Sequence, residues 1–225
     1  MDYFTARQVS PDCYQSSKLP QWMIGEIGDI ESVVLDVGCS FGQTIRGLIT
    51  NGFNNVKGID ISNEAVDYCQ KEGFNVECVD FADYQGEAVD VIIMSHILEH
   101  FPKDNISLML KKAYNILNPN GKLIISTPNA QSNTGSYWAY EDFTHSTIFT
   151  SGSLYYVLKI AGFRTVKFID ITCTAHMTGV QKVVKKGLWE LYRANKNFWN
   201  WVTGSSYHAP SPQIFSYEIK VVSQR

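Results

Sequence analysis

The sequence predicts an α/β fold built on a doubly wound, mostly parallel β-sheet with helices on both faces. Three observations predict it. Short runs rich in Val and Ile alternate with segments whose apolar residues fall at helical spacing. Glycine and asparagine punctuate the junctions between them. The chain has 225 residues, 44% of them hydrophobic and 18% charged, which suits one domain, 1–225, with a full core.

Residues 1–30 are polar, are broken by Pro11 and Pro20, and read as an irregular lead-in with one short helix. Val33–Val37 is a β-branched run ending at glycine, hence a buried strand. Gln43–Thr50 follows with Ile45, Leu48 and Ile49 at helical spacing, and Asn51-Gly52 stops it. Val56–Ile59 is a second strand. Ser62 caps a helix that runs to Lys71 with Ala65, Val66 and Cys69 on one face, closed by Gly73. Asn75–Val79 is a third strand and Val89–Met94 a fourth, the most apolar. A helix over 104–117 ends at Asn118-Pro119-Asn120-Gly121, and Lys122–Ser126 is a fifth strand. Residues 128–150 form a long loop rich in Ser, Thr, Asn and aromatics. A helix from Ser151 to Ala161 stops at Gly162, Arg164–Ile169 is the sixth strand, and Phe215–Val222 is the last. Alternating strands and helices make βαβ units, and right-handed crossovers wind them into one open sheet. Ligands of such sheets bind at the carboxyl ends of the strands, beside the switch point next to the first strand.

Composition excludes some classes. The net charge is -3 and the pI about 5.9, so no basic surface dominates and no nucleic-acid partner is expected. Residues 1–7 lack the apolar run of a signal peptide, and no stretch reaches the apolar length of a membrane span. Five cysteines without a CxxC pair read as free thiols in a reducing compartment, which points to the cytoplasm.

Chemistry concentrates first at the turn Asp36-Val37-Gly38-Cys39-Ser40-Phe41-Gly42, between the first strand and its helix. Glycines there let the backbone turn sharply and approach a ligand, and the helix N-terminus offers unpaired N–H groups to an anion. Three readings compete. A dinucleotide fingerprint fails, because Ser40 holds the middle position and Thr44-Ile45 stand beyond. A hydrolase elbow, G-x-S-x-G, matches the string but sits on the first strand. Its acid and base, Asp142 and His145, would lie too close together for separate loops. The third reading adds Asp60, which ends the second strand and suits two ribose hydroxyls, since Ser62 or Asn63 can cap the next helix instead.

The quoted segments then carry a resemblance. Val34–Gly42 resembles motif I of the class I S-adenosylmethionine-dependent methyltransferases, with Ser40 where many members have glycine. Val56–Ser62 resembles their second motif, Val76–Phe81 the third, Val89–His100 the fourth, and Leu117–Ile125 the turn and strand that follow. The likeness runs in order over about residues 30–170. It implies a Rossmann-like sheet of seven strands with an antiparallel last strand, and S-adenosyl-L-methionine as cofactor. It implies that Asp36, Gly38, Ser40 and Gly42 hold the amino-acid end, that Asp60 and Ile61 meet the ribose, and that Asp80 and Phe81 meet the adenine. Ser95 and His96 would lie near the methyl group. The stretch from Asp142 through His145 to Ala161-Gly162-Phe163 resembles members from bacterial surface-polysaccharide pathways.

An alcohol acceptor must lose a proton, usually to a histidine or carboxylate. The candidates are His145, His96 and Asp142. His145 is as well explained by a base as by a loop brace, and His100 reads as structural beside Glu99. Tyr137, Trp138 and Tyr140 are placed to stack on an acceptor such as a sugar. A metal at Asp142 and His145 lacks a third clear ligand, so none is expected.

Residues 173–213 form a helical insertion before the last strand. Within it, 180–202 is amphipathic, with Val184, Leu188, Leu191, Tyr192, Phe198 and Trp199 against Lys182, Lys185, Lys186, Arg193 and Lys196. Three roles fit it: packing on the domain or on a second subunit as a homodimer, lying on the anionic inner face of a membrane, or covering the acceptor site. The expected activity is O-methylation of a sugar hydroxyl in a cell-surface glycan or its precursor. The alternatives are a small-molecule acceptor, either a quinone precursor or a carboxylate, and a non-catalytic binding protein of the same fold.

Overall fold

The computed structural model describes residues 3–225, so Met1 and Asp2 of the expected lead-in lie outside the described residues. One sheet contains β1 (Val34–Val37), β2 (Val56–Asp60), β3 (Val76–Cys78), β4 (Val89–Ser95), β5 (Leu117–Pro128), β6 (Thr165–Ile169) and β7 (Glu218–Gln224). The helices are α1 (Tyr3–Ala6), α2 (Gln21–Ile27), α3 (Gln43–Thr50), α4 (Asn63–Lys71), α5 (Ile106–Ile116), α6 (Gly135–Glu141), α7 (Ser151–Ala161) and α8 (Gly179–Thr203). The strand order is β3-β2-β1-β4-β5-β7-β6. Neighbours pair in parallel except with β7, which runs antiparallel to both β5 and β6. This is the doubly wound Rossmann-like arrangement, with the antiparallel last strand, that the sequence predicts.

The alternation of side chains along each strand builds two cores, one on each face. Leu35, Val37, Ile92, Met94, Leu123 and Ile125 point to one side, where Leu110 and Ala113 of α5 and Leu154 and Leu158 of α7 cover them. Val34, Val91, Ile93 and Ile124 point to the other, under Met23 and Ile27 of α2, Ile45 and Leu48 of α3, and Val66 and Cys69 of α4. Burial on both faces explains why the central strands read as continuous apolar runs. Local caps agree. The Ser62 hydroxyl accepts the Ala65 N–H at 3.1 Å, Thr150 and Ser153 form a capping box on α7, and Gly162 closes α7 in the left-handed conformation. The register aligns Val37 with both Ile59 and Met94, so Gly38, Asp60 and Ser95 emerge together at the carboxyl edge beside the switch point.

Four expectations need correction. The lead-in is not irregular: it holds α1, a 3-10 turn over Pro11–Tyr14 and α2, and it buries Phe4, Met23 and Ile27. The 128–150 loop contains α6. The fifth strand begins at Leu117, because the chain pairs with Val89 before bulging through 118–121 to rejoin Val91 at Lys122. The last strand starts at Glu218, since Ile214 and Ser216 spend their carbonyls on the buried Asn129 amide.

The 173–213 insertion is dominated by α8. It buries none of its residues, and Leu188, Leu191, Trp199 and Trp201 are all exposed. Tyr192 touches the body through Asn133 and Phe215. Among the described residues, no helix is long and apolar enough to cross a membrane. Ile93→Ala, at a fully buried position, is expected to lower stability by about 2–5 kcal/mol. Leu191→Ser, at a position 69% exposed, should stay within about 0.5 kcal/mol. Urea melts of the two variants measure the difference, and equal losses would contradict this division of the core.

Candidate active site

The turn after β1 is tightly built. Gly38 and Gly42 have φ of 70° and 77°, a region closed to most side chains. A Cβ on Gly38 would strike the Ile97 side chain, and one on Gly42 would meet the Phe74 ring at 2.8 Å. Ser40 also takes a left-handed φ, 51°, so serine adopts the geometry that glycine gives related turns. Asp60 holds the turn: its Oδ2 accepts the Ser40 N–H at 2.8 Å and its Oδ1 accepts the Ser62 N–H at 2.9 Å. Asp36 lies beside it, buried, and its Oδ2 accepts no hydrogen bond among the described residues. Burial and then the charge of Asp60 push the Asp36 carboxyl up to about 8, against a hydrogen bond from Thr44.

The end of β4 carries His96, Glu99 and His100. His96 Nε2 stands 3.2 Å from Glu218 Oε2 of β7, and its Nδ1 stands 3.4 Å from Glu99 Oε1. Burial of the ring works against its charge, yet the two carboxylates prevail and raise it to about 9. His96 is therefore a cation at neutral pH, which disqualifies it as a general base.

Glu99 is fully buried. Its Oε2 accepts the Thr127 hydroxyl at 3.0 Å, and its backbone carbonyl accepts the N–H groups of Ser146 and Thr147. Those bonds bring His145 over the strand ends, where its ring meets His100 edge-on at 4.7 Å. His145 Nδ1 lies 2.6 Å from the Trp138 carbonyl, which can only accept, so Nδ1 carries a proton and Nε2 is the nitrogen left for other partners. The Thr144 hydroxyl donates to Asp142 Oδ1 at 2.6 Å, so it accepts from His100 Nδ1 at 2.8 Å. Burial lowers the His100 pKa, with Glu99 opposing and His145 adding to the fall, and the ring is neutral at pH 7.

Asp142 has both of its oxygens engaged. Its Oδ1 takes the Thr144 amide and hydroxyl, while Oδ2 takes the Tyr3 hydroxyl and the Arg7 guanidinium at 2.9 Å. Burial opposes ionisation, but Thr144, Tyr3 and Arg7 hold the carboxyl down at about 2. The group is spent on tying the chain's first residues to the loop after α6.

One cavity of about 850 Å³ gathers most of these groups. Asp36, Gly38, Ser40, Asp60, Ile61, Ser95, His96, Trp138, Asp142 and His145 line it. Gly42 shapes the turn from behind. Asp80 is exposed, with its Oδ1 taken by the Ala82 amide, and Phe81 is buried in the core; neither lines the cavity. Tyr137 and Tyr140 are 55% and 85% exposed and also stay outside it, so only Trp138 of the aromatic trio faces an acceptor. The sequence reading misses Tyr3, Phe4, Arg7, Tyr14, Glu99, His100 and Tyr217, all of which line the cavity. The density of aromatics at Tyr3, Phe4 and Tyr14 was the available signal for the first group.

A glycine-bearing turn and an acidic strand end, joined at the switch point of this sheet, form the cofactor-binding corner of a nucleotide-binding α/β fold. The chain belongs to the methyltransferase domain family, which it matches over residues 18–167. It is similar to a carboxy-S-adenosyl-L-methionine synthase of Histophilus somni, at 30% identity over 106 residues. That match covers 42% of this chain and 44% of the relative. A ubiquinone biosynthesis O-methyltransferase of Neisseria meningitidis is 27% identical over 106 residues, covering 43% and 44%. The matched stretch thus spans less than half the length of these curated relatives. A SAM-dependent methyltransferase from Archaeoglobus fulgidus shares the fold over 100% of both chains, with a TM-score of 0.68 at 20% identity.

The cofactor of this class fits the cavity's chemistry. The unpartnered Asp36 Oδ2 suits a cationic group, and the Gly38–Gly42 turn leaves backbone in place of side chains. Binding a cation beside Asp36 favours its ionised form and releases a proton. Affinity for S-adenosylhomocysteine is therefore expected to rise with pH up to about 8 and then level off. Calorimetry in buffers of different ionisation enthalpy measures that proton, and Asp36→Asn should abolish it. Equal heats in all buffers for the wild type would count against the assignment. Asp142→Ala strands Tyr3 and Arg7, so we expect a loss of about 1–3 kcal/mol and faster tryptic cleavage at Arg7. Unchanged cleavage would show that Asp142 does not hold this segment.

Proposed function

We propose that this chain methylates an oxygen, with a sugar hydroxyl of a cell-surface glycan or its precursor as the acceptor. The observation that carries the reading is the sharing of one cavity by two halves: Asp36, Gly38, Ser40 and Asp60 on one wall, Trp138, His100 and His145 on the other. S-adenosylmethionine, when bound, supplies a methyl group already activated by a sulfonium. Asp60 and Ile61 would hold its ribose, and Asp36, Gly38 and Ser40 its amino-acid end. The protein's remaining work is alignment and removal of the acceptor's proton.

His145 Nε2 is the proton acceptor in this reading. Its ring is aimed by the bond from Nδ1 to the Trp138 carbonyl, whereas His96 is held by two carboxylates and Asp142 is committed. Trp138 with Tyr3 and Tyr14 offers flat apolar surface to a sugar face. Oxygen as the methylated atom is supported by the two imidazoles, His100 and His145, that line the cavity and by the likeness to a protein named as an O-methyltransferase. That likeness also favours a second reading, a small quinone precursor as acceptor. The exposed apolar and basic side chains of α8 favour an acceptor presented at an anionic surface.

S-adenosylhomocysteine should raise the melting temperature, and Asp60→Ala should remove most of the rise. No rise in the wild type would sink the enzyme reading. His145→Ala should keep that rise but lose turnover by roughly 10²–10⁴-fold. Labelled methyl transfer into nucleotide-linked or lipid-linked sugars, set against quinone precursors, separates the two acceptor classes.

A further inference from the structure

We propose that Glu99, His100 and His145 form a binding site for one divalent transition-metal cation of the Zn²⁺ or Co²⁺ kind. One ligand atom from each lies within 4.8 Å of the others. Ligands around a single zinc ion stand roughly 3–3.5 Å apart, so small rotations of the two imidazoles close the set. Two imidazoles and a carboxylate are the donor set of open, reactive metal sites rather than of closed structural ones.

The surroundings orient each donor. His145 Nδ1 is fixed by the Trp138 carbonyl, and His100 Nδ1 by Thr144, itself held by Asp142. With Nδ1 so engaged, Nε2 is the nitrogen each ring has left to ligate. A backbone carbonyl and a hydroxyl–carboxylate relay are the outer partners that metal-bound histidines use to set their tautomer. Glu99 supplies an independent observation. Its side chain has no exposure, Oε2 is taken by Thr127, and Oε1 accepts no hydrogen bond. The nearest cation to Oε1, His96 Nδ1, stands off at 3.4 Å. The His96 contact is long, and Oε1 keeps room for a closer cation, which a metal ion would supply.

All three residues line the same cavity as the turn at Gly38–Ser40. The ion's remaining positions would face the acceptor and take its hydroxyl oxygen, lowering that hydroxyl's pKa so that its proton passes to water. Whether the ion binds does not depend on the acceptor; its use in methyl transfer rests on the function proposed above. In that case His145 coordinates instead of removing the proton.

The full chain, stripped with a chelator and dialysed, is titrated with Co²⁺. One equivalent per chain with visible absorption bands is expected. His100→Ala, His145→Ala and Glu99→Gln should each weaken Co²⁺ binding at least 100-fold, and Thr144→Val by about 10–100-fold. Retention of the S-adenosylhomocysteine thermal shift marks each variant as folded. No saturable Co²⁺ binding by the wild type up to millimolar concentration would overturn the site, as would binding untouched by both histidine substitutions. A stripped protein that methylates at the full rate, while His145→Ala loses turnover, leaves His145 as base and removes the metal from the reaction. Loss of the thermal shift in the wild type would instead strike the methyltransferase reading itself.

Discussion

The acceptor side of this molecule hangs from one carboxylate that solvent never touches. Glu99 joins three things that are far apart in sequence: the end of β4, the Thr127 hydroxyl of β5, and, through its own carbonyl, the 146–147 amides of the loop after α6. Burying an ionised carboxylate is costly, and isolated it would shift the chain away from this arrangement. It is kept here by an imidazolium on one side and a hydroxyl on the other. His96, in turn, stays charged because Glu218 reaches it from β7. The charges at the strand ends therefore hold one another, and the loop that carries His145 is positioned as a result.

On the opposite wall the logic is reversed. Asp36 and Asp60 are two acids at one turn, and only Asp60 has its oxygens filled by backbone N–H groups. Asp36 is left to carry the proton that the crowding demands. The fold thus prepares one wall as acids over backbone and the other as a pair of oriented imidazoles. A donor bearing positive charge and the hydroxyl acceptor proposed above would meet those two walls.

The parts of this design that sequence reveals are those made by neighbours. The Gly38–Gly42 turn, the acid at the end of β2 and the caps at Ser62 and Gly162 are all written within a few residues of where they act. The sheet order follows from the same local alternation. What sequence conceals is built across distance. The Tyr3–Asp142 bond spans 139 positions and the His96–Glu218 pair spans 122. No periodicity signals that an aromatic lead-in will wall the cavity, or that Asp142, three residues before His145, will be consumed by Arg7. His100 reads as structural because its role depends on Thr144 bending back 44 positions to meet it. The aromatic trio fails for a local reason: α6 winds Tyr137, Trp138 and Tyr140 around a helix, so one faces inward and the others do not.

The placement of the two chain ends has a practical side. Tyr3 is part of the cavity wall, so a substitution there alters the cavity directly. Arg225 leaves from the far edge. β7 runs antiparallel and pairs Gln224 with Lys122, at the start of β5, on the side of the sheet away from the strand ends that carry the chemistry. A label carried at Arg225 would therefore sit at the opposite end of the strands from the cavity, whereas one at Tyr3 would stand in its wall.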